Sequence, residues 1–331
     1  MKTGPPGVVG ASSEPSQKRS ANGRSGSADA SSRRSGSGWA KGTLTPAWVV
    51  RDRKKGCQTH GVPPSLERDA SDPDPVVEAR RLAEHGVLRL RAENPSPLTL
   101  SGTNTWIVGR DPAYVVDPGP ALEEHIERLV AALDARGGLG GIALTHDHAD
   151  HSEGVDALRE RRPAPLAAGR GEVDVAFAEG TSFGPFVALA TPGHAPDHHA
   201  LIVGRVCFTG DAVLGEGSVF IAPDPGALAG YLDGLRELRE RDLDVLCPGH
   251  GPPVWEPKAK LDEYIDHRLR RERLLLAALA AGHRSTVELL DAAWSDVPAE
   301  LRPVAAVSLR AHLDKLEEEG RLPAGVERPS W

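Results

Sequence analysis

From about Val76 onward, short apolar runs alternate with longer segments whose apolar positions recur at helical spacing. "VLRLRAE" (87–93) and "TWIVGRDPAYVVD" (105–117) read as strands, the second divided by a turn at residues 110–112. In "ALEEHIERLVAALDARGG", Leu122, Ile126, Leu129, Val130 and Leu133 share one helical face, and glycine stops the run. "GIALT" (141–145) is predicted to be a short buried strand, with later strands at "FVALA", "ALIVG", "RVCFTGD" and "LDVLCPGH". Between the last two lies a helix with Leu228, Tyr231, Leu232, Leu235 and Leu238 on one side. Such alternation predicts an α/β domain in which helices cover a mixed sheet.

A second unit is predicted to begin near Pro257. A long helix over 257–281 leads to "STVELLDAAW", where Ser285 and Glu288 have the spacing of a capping box. Another helix over 303–319 ends at Gly320, and "RLPAGVERPSW" reads as a small β-ribbon. Three helices and a ribbon resemble a winged helix. At the other end, Gly, Pro and Ser fill 20 of the first 40 positions, too polar a stretch to offset its chain entropy by burial. The expected organisation is therefore a disordered low-complexity tail over 1–74, an α/β domain over 75–256, and a helical unit over 257–331.

Charge and cysteine content narrow the function classes. The chain carries 39 basic and 47 acidic residues, a net charge of −8. The excess is concentrated after residue 75, where 27 basic face 40 acidic side chains. That balance gives no general attraction to nucleic acid, so any such contact needs a local basic patch. The basic set Lys258, Lys260, Arg268, Arg270, Arg271 and Arg273 is interleaved with Asp262, Glu263, Asp266 and Glu272 and reads as a solvated helix face. Cys57, Cys207 and Cys247 are too few and too scattered for a disulfide framework. Cys207 and Cys247 sit on apolar strands, as inert buried thiols do. No apolar run is long enough to cross a membrane and no secretory leader is visible, so the expected compartment is the cytoplasm.

The chemistry is concentrated in "LTHDHADHSEGV" (144–155), which gathers His146, His148, Asp150 and His151 where an apolar strand gives way to a helix. His146 and His148 are two apart and project to the same side. Three later fragments run an apolar strand into a polar residue beside glycine: "TPGH" with His194, "FTGD" with Asp211 and "CPGHG" with His250. Glycine lets the backbone turn sharply and leaves each side chain at the rim of the sheet. Imidazole and carboxylate together suit zinc, with manganese and iron as alternatives. Seven ligands exceed the need of one tetrahedral ion. They divide into His146, His148 and His194 for one metal and Asp150, His151 and His250 for another, with Asp211 bridging. Two such ions would share a hydroxide, a nucleophile that needs no activated Ser or Cys.

"THDHADH", "TPGH", "TGD" and "PGHG", in this order, resemble the metallo-β-lactamase superfamily, which implies an αββα sandwich. The superfamily's first motif is an Asp closing an early strand. Asp117 in "AYVVDPG" matches it, and the resemblance implies that Asp117 braces the metal loop without binding metal. Within the superfamily, "NPSPLTLSGTNTW" (94–106), "TPGHAPDHHALIV" (191–203), "GDAVLGEG" (210–217) and "CPGHGPPV" resemble the β-lactamase-like protein 2 group. That group carries a C-terminal winged-helix-like domain, and its characterised animal member is an endoribonuclease, so the resemblance implies an enzyme acting on single-stranded RNA. It also matches His198, which with Asp150 is the candidate catalytic residue, His198 as a substrate contact or proton donor. His199 beside it reads equally as structural, and Asn104 and Thr105 read as braces for a loop near the metals or equally as parts of an ordinary turn. The alternative substrate is an acyl thioester, since glyoxalase II shares the His-rich core. A mono-iron sulfur dioxygenase and a winged-helix DNA-binding regulator stand further off. The sequence implies no protein partner and specifies no oligomeric state.

Overall fold

A computed structural model of the chain describes residues 75–330, so the tail expected over 1–74, with Cys57, lies outside the described residues. In chain order the elements are α1 (Pro75–Glu84), β1 (Val87–Arg91), β2 (Asn104–Val108), β3 (Ala113–Val116), α2 (Glu123–Asp134) and β4 (Leu139–Ala143). Then come α3 (Ala149–Ser152), α4 (Gly154–Arg161), β5 (Leu166–Ala168), β6 (Val175–Ala176), β7 (Ser182–Phe183), β8 (Phe186–Ala190), β9 (His199–Val203) and β10 (Val206–Gly210). The remainder is α5 (Ala227–Glu240), β11 (Val245–Pro248), α6 (Pro257–Ala280), α7 (Thr286–Ala293), a short 3₁₀ turn (Ala299–Leu301) and α8 (Arg302–Glu318).

Strands β1 to β6 form one sheet in sequential order, and β11-β10-β9-β8-β7 form a second. Period-2 alternation decides which side chain faces which layer. Trp106 and Val108 of β2 point inward with Val116 and Ala143, meeting Phe186, Ala188, Phe208 and Cys247 of the other sheet. Ile107, Val115 and Ile142, one position out of phase, point outward and are covered by Leu129 and Leu133 of α2 and Leu158 of α4. On the far side, Cys207 and Leu246 face outward against Leu228, Tyr231, Leu232 and Leu235 of α5 and Leu261 and Tyr264 of α6. The layers run helix, sheet, sheet, helix, the αββα sandwich that the motif resemblance implied.

Helix α6 contributes to two cores. Its first half joins the layer over the second sheet, and Leu275, Ala278 and Leu279 pack with Leu289 of α7 and Leu309, Leu313 and Leu316 of α8. Ser285 and Glu288 do form the capping box at the start of α7. The ribbon expected after Gly320 does not form. Residues 321–330 contain no strand, and Glu327 N donates one bond to Arg284 O at 2.8 Å. Pro323 and Pro329 flank the turn at residues 324–325, and neither can donate to a ladder there. No helix among the described residues is long and apolar enough to cross a membrane.

Candidate metal centre

Pairing directions put the chemistry at one rim. β3 and β4 are parallel, β10 and β11 are parallel, and β8 and β10 both run antiparallel to β9. Asp117 and the His146–His151 loop therefore follow the C-terminal ends of parallel strands in the first sheet, and His194, Asp211 and His250 those of parallel strands in the second. The two sheets are tied together there. Asn104 N donates to Gly249 O at 2.7 Å, and its side-chain amide donates to Pro248 O at 3.0 Å and Gly251 O at 2.8 Å. Asn104 thus shapes the "PGHG" turn that delivers His250, a firmer role than the sequence indicated.

Three ring nitrogens converge in the first group. His146 Nε2 and His194 Nε2 each lie 2.9 Å from His148 Nδ1. His148 Nδ1 is shared by both neighbours and has either one proton or one lone pair, so it cannot make a full hydrogen bond to each, whereas a cation can receive all three lone pairs. A tetrahedral zinc at about 2.0–2.1 Å from each nitrogen would separate them by about 3.3 Å, a small expansion. In the second group His250 Nε2 and His151 Nε2 lie 3.3 and 3.5 Å from Asp150 Oδ2. Asp211 stands between the groups, its Oδ2 3.6 Å from His194 Nε2 and 3.3 Å from His250 Nε2, and its Oδ1 3.5 Å from His151 Nε2. The ligand atoms of His146, His148 and His194, of Asp150, His151 and His250, and of His146, His151 and Asp211 form three mutually close sets that could hold metal ions.

Two further observations fit divalent cations. His151 Nε2 and Asp211 Oδ1 are buried without a hydrogen-bond partner, a costly state unless something else satisfies them. Gly249 leaves room beside them, since a Cβ there would come within 2.4 Å of Asp211 Oδ1 and 2.6 Å of His151 Cε1.

Electrostatics separate the groups. Burial, reinforced by neighbouring histidines, holds His146 well below the ordinary imidazole range. Burial likewise lowers His148 and brings His194 down to about 4, so the trio is neutral with lone pairs available. Burial also opposes charge on His151 and His250, but Asp211 and Asp150 outweigh it and raise them to about 9 and about 10. The same attraction overcomes desolvation to depress Asp150 to about 2 and Asp211 below the usual carboxylate range.

The supporting shell came only partly from sequence. Asp117, at φ 52°, accepts from Thr145 N at 2.8 Å and Thr145 Oγ1 at 2.7 Å, and lies 3.0 Å from His151 Nδ1. It thereby braces the loop and turns His151 Nε2 toward the centre. Thr103, which sequence reasoning missed, donates to Asp150 Oδ2 at 3.3 Å and is itself clasped by the Asn94 amide. His198 does not face the metal groups as a proton donor would. Its Nε2 accepts from Asp211 N at 3.1 Å and its Nδ1 pairs with Thr191 Oγ1 at 2.8 Å, so both nitrogens are engaged and the ring braces Asp211 from behind. His199 Nδ1 bonds Asp197 O at 2.9 Å, a loop contact. Thr105 Oγ1 bonds His125 Nε2 at 2.9 Å, and the pair packs beside Gly119, whose N donates to His151 O at 3.1 Å. Of the basic set on α6, Arg268 and Arg271 are buried and bonded internally.

Residues 98–184 and 171–250 match the Metallo-beta-lactamase superfamily, and residues 285–324 match the Beta-lactamase associated winged helix domain. The chain is 30% identical over 264 residues to the Beta-lactamase-like protein 2 homolog of Caenorhabditis elegans, covering 74% of this chain and 88% of that protein. It is 34% identical over 230 residues to an Atrochrysone carboxyl ACP thioesterase of Aspergillus chevalieri, covering 65% and 72%. In fold it is similar to a Beta-lactamase domain protein from Burkholderia ambifaria, with TM-score 0.62 at 21% identity over 73% of this chain and 90% of that one.

Proposed function

Because the chain belongs to the metallo-β-lactamase superfamily and carries its associated winged-helix domain, we propose that it is a dinuclear zinc hydrolase whose substrate is an acyl thioester. The observation that carries the hydrolase is Asp211, placed within 3.6 Å of ligands from both groups. Zinc held by these residues would supply Lewis acidity and lower the pKa of a bound water toward neutrality. The chain's own residues supply orientation. Asp117 directs His151, Thr103 directs Asp150, and His198 holds the backbone of Asp211. Phe220 lays its ring 4.9 Å from that of His194, an apolar wall suited to an acyl chain.

Charge weighs against a long polyanion such as single-stranded RNA. The 75–330 region is acidic, Arg268 and Arg271 are spent inside the fold and Lys260 pairs with Glu263, which leaves Lys258, Arg270 and Arg273 of the basic set on α6 for phosphate contacts. The relative named as a thioesterase agrees. Single-stranded RNA is the second reading, favoured by the group resemblance of "NPSPLTLSGTNTW" and "TPGHAPDHHALIV" and by alignment along most of a β-lactamase-like protein 2 homologue. Zinc-loaded protein, with His148→Ala as control, should be assayed against acyl thioesters of increasing chain length and against single-stranded RNA. Thioester turnover lost in the control supports the first reading. RNA cleavage with the same dependence replaces it by the second, and activity on neither removes both.

A further inference from the structure

The segment between β10 and α5 touches three candidate ligands in turn. It starts at Asp211, Gly215 N donates to His250 O at 2.9 Å, and Phe220 O lies 3.4 Å from His194 Nδ1. It closes with Ala222 N donating to Gly193 O at 2.8 Å. Its outer side is held by α6. Leu214 N donates to Tyr264 Oη at 3.1 Å, and Tyr264 Oη donates to Gly217 O at 2.9 Å. Four residues along, Arg268 Nη2 donates to Val219 O and to Ser218 Oγ at 3.2 Å.

Arg268 is 3% exposed, lies 5.6 Å over the Tyr231 ring and forms no ion pair with a carboxylate among the described residues. A buried cation without a counter-ion is costly, and an apolar side chain of similar length would fill the same space without that cost. What the guanidinium adds is a fixed position for the Val219 carbonyl, one residue before the carbonyl that faces His194 Nδ1. A proton on Nδ1 donated to Phe220 O leaves Nε2 as the lone pair of the first metal group. His312 of α8 lies 3.4 Å from Arg268 O, so the C-terminal unit backs the arrangement.

We propose that Arg268 is a positioning residue for the metal centre, acting from the C-terminal helices through the Val219–Phe220 backbone to set the orientation of His194. The inference rests on the dinuclear reading but not on the substrate. Full-length wild type, Arg268→Met and Arg268→Lys should be stripped with chelator, titrated with zinc against a chromophoric competitor, and melted in the stripped state. Arg268→Met is expected to weaken one of two zinc sites about 10–100-fold while the stripped protein melts as wild type does. Arg268→Lys, which keeps a donor for Val219 O, should recover part of that affinity. Wild-type affinity at both sites in Arg268→Met overturns the proposal. So does loss of both sites together with the melting transition, which marks a purely structural arginine. A wild type that takes up no zinc removes the dinuclear reading itself, and this inference with it.

Discussion

Replacing Gly249 by alanine should damage the metal centre through a single methyl group. The backbone cannot retreat, because Gly249 N donates to Gly210 O at 2.8 Å and Gly249 O accepts from Asn104 N at 2.7 Å, one bond from each sheet. Gly249 is not among the positive-φ residues, so the argument is one of space and not of backbone strain. The new Cβ would lie 2.4 Å from Asp211 Oδ1 and 2.6 Å from His151 Cε1, where ordinary contact begins at 3.4 Å. One or both ligands must therefore move by about 1 Å, a displacement that can cost about 100-fold in turnover. Overpacking of this kind also costs about 1–3 kcal/mol of stability. Equilibrium dialysis followed by elemental analysis should find the zinc content of Gly249→Ala reduced by about one ion per chain, with hydrolysis about 100-fold slower. Urea unfolding in chelator gives the stability term. Full zinc content with wild-type turnover would refute the placement of Asp211 and His151 around this glycine.

Asp117→Asn should weaken zinc binding about 10–100-fold in chelator competition, because an amide in place of Oδ2 no longer fixes the His151 tautomer. Acid should destabilise the C-terminal helices through His312, whose burial lowers it from 6.5 to about 4. The fold favours the neutral ring, so the contribution is complete above about pH 6.5 and is lost as pH falls toward 4, amounting to about 3 kcal/mol. Urea unfolding of stripped protein at pH 7 and pH 4.5 should show a smaller acid loss in His312→Gln than in wild type. An equal loss would locate the sensitivity elsewhere. Ser285→Ala removes the side chain that accepts from Glu288 N and should cost about 1 kcal/mol, read from the denaturation midpoint.

Local signals carried the outer form of this fold. Short apolar runs marked β2, β3, β8 and β10, although β2 and β10 are buried on both faces and their inward sides were not legible from local pattern. Glycine-bracketed polar residues after strands marked the rim where His194, Asp211 and His250 meet the His146–His151 loop. The elements that escaped notice are those with little local signal. β6 and β7 are two residues each, too short for a period to register. α1 buries only Glu78 and Leu82, so its apolar stripe is thin. The supporting contacts are non-local. Thr103 reaches Asp150 across 47 positions, and Arg268 reaches Val219 across 49. His198 shows the reverse case. The motif made it a candidate for catalysis, whereas the fold occupies both ring nitrogens with Thr191 and Asp211.

The central claim is that two cations sit between side chains drawn from separate strand ends, and metal stoichiometry tests it most directly. Elemental analysis of zinc-reconstituted, dialysed protein should give two ions per chain, falling to one in His250→Ala. Less than one ion per chain in the wild type, or a value unchanged by His250→Ala, would contradict the account.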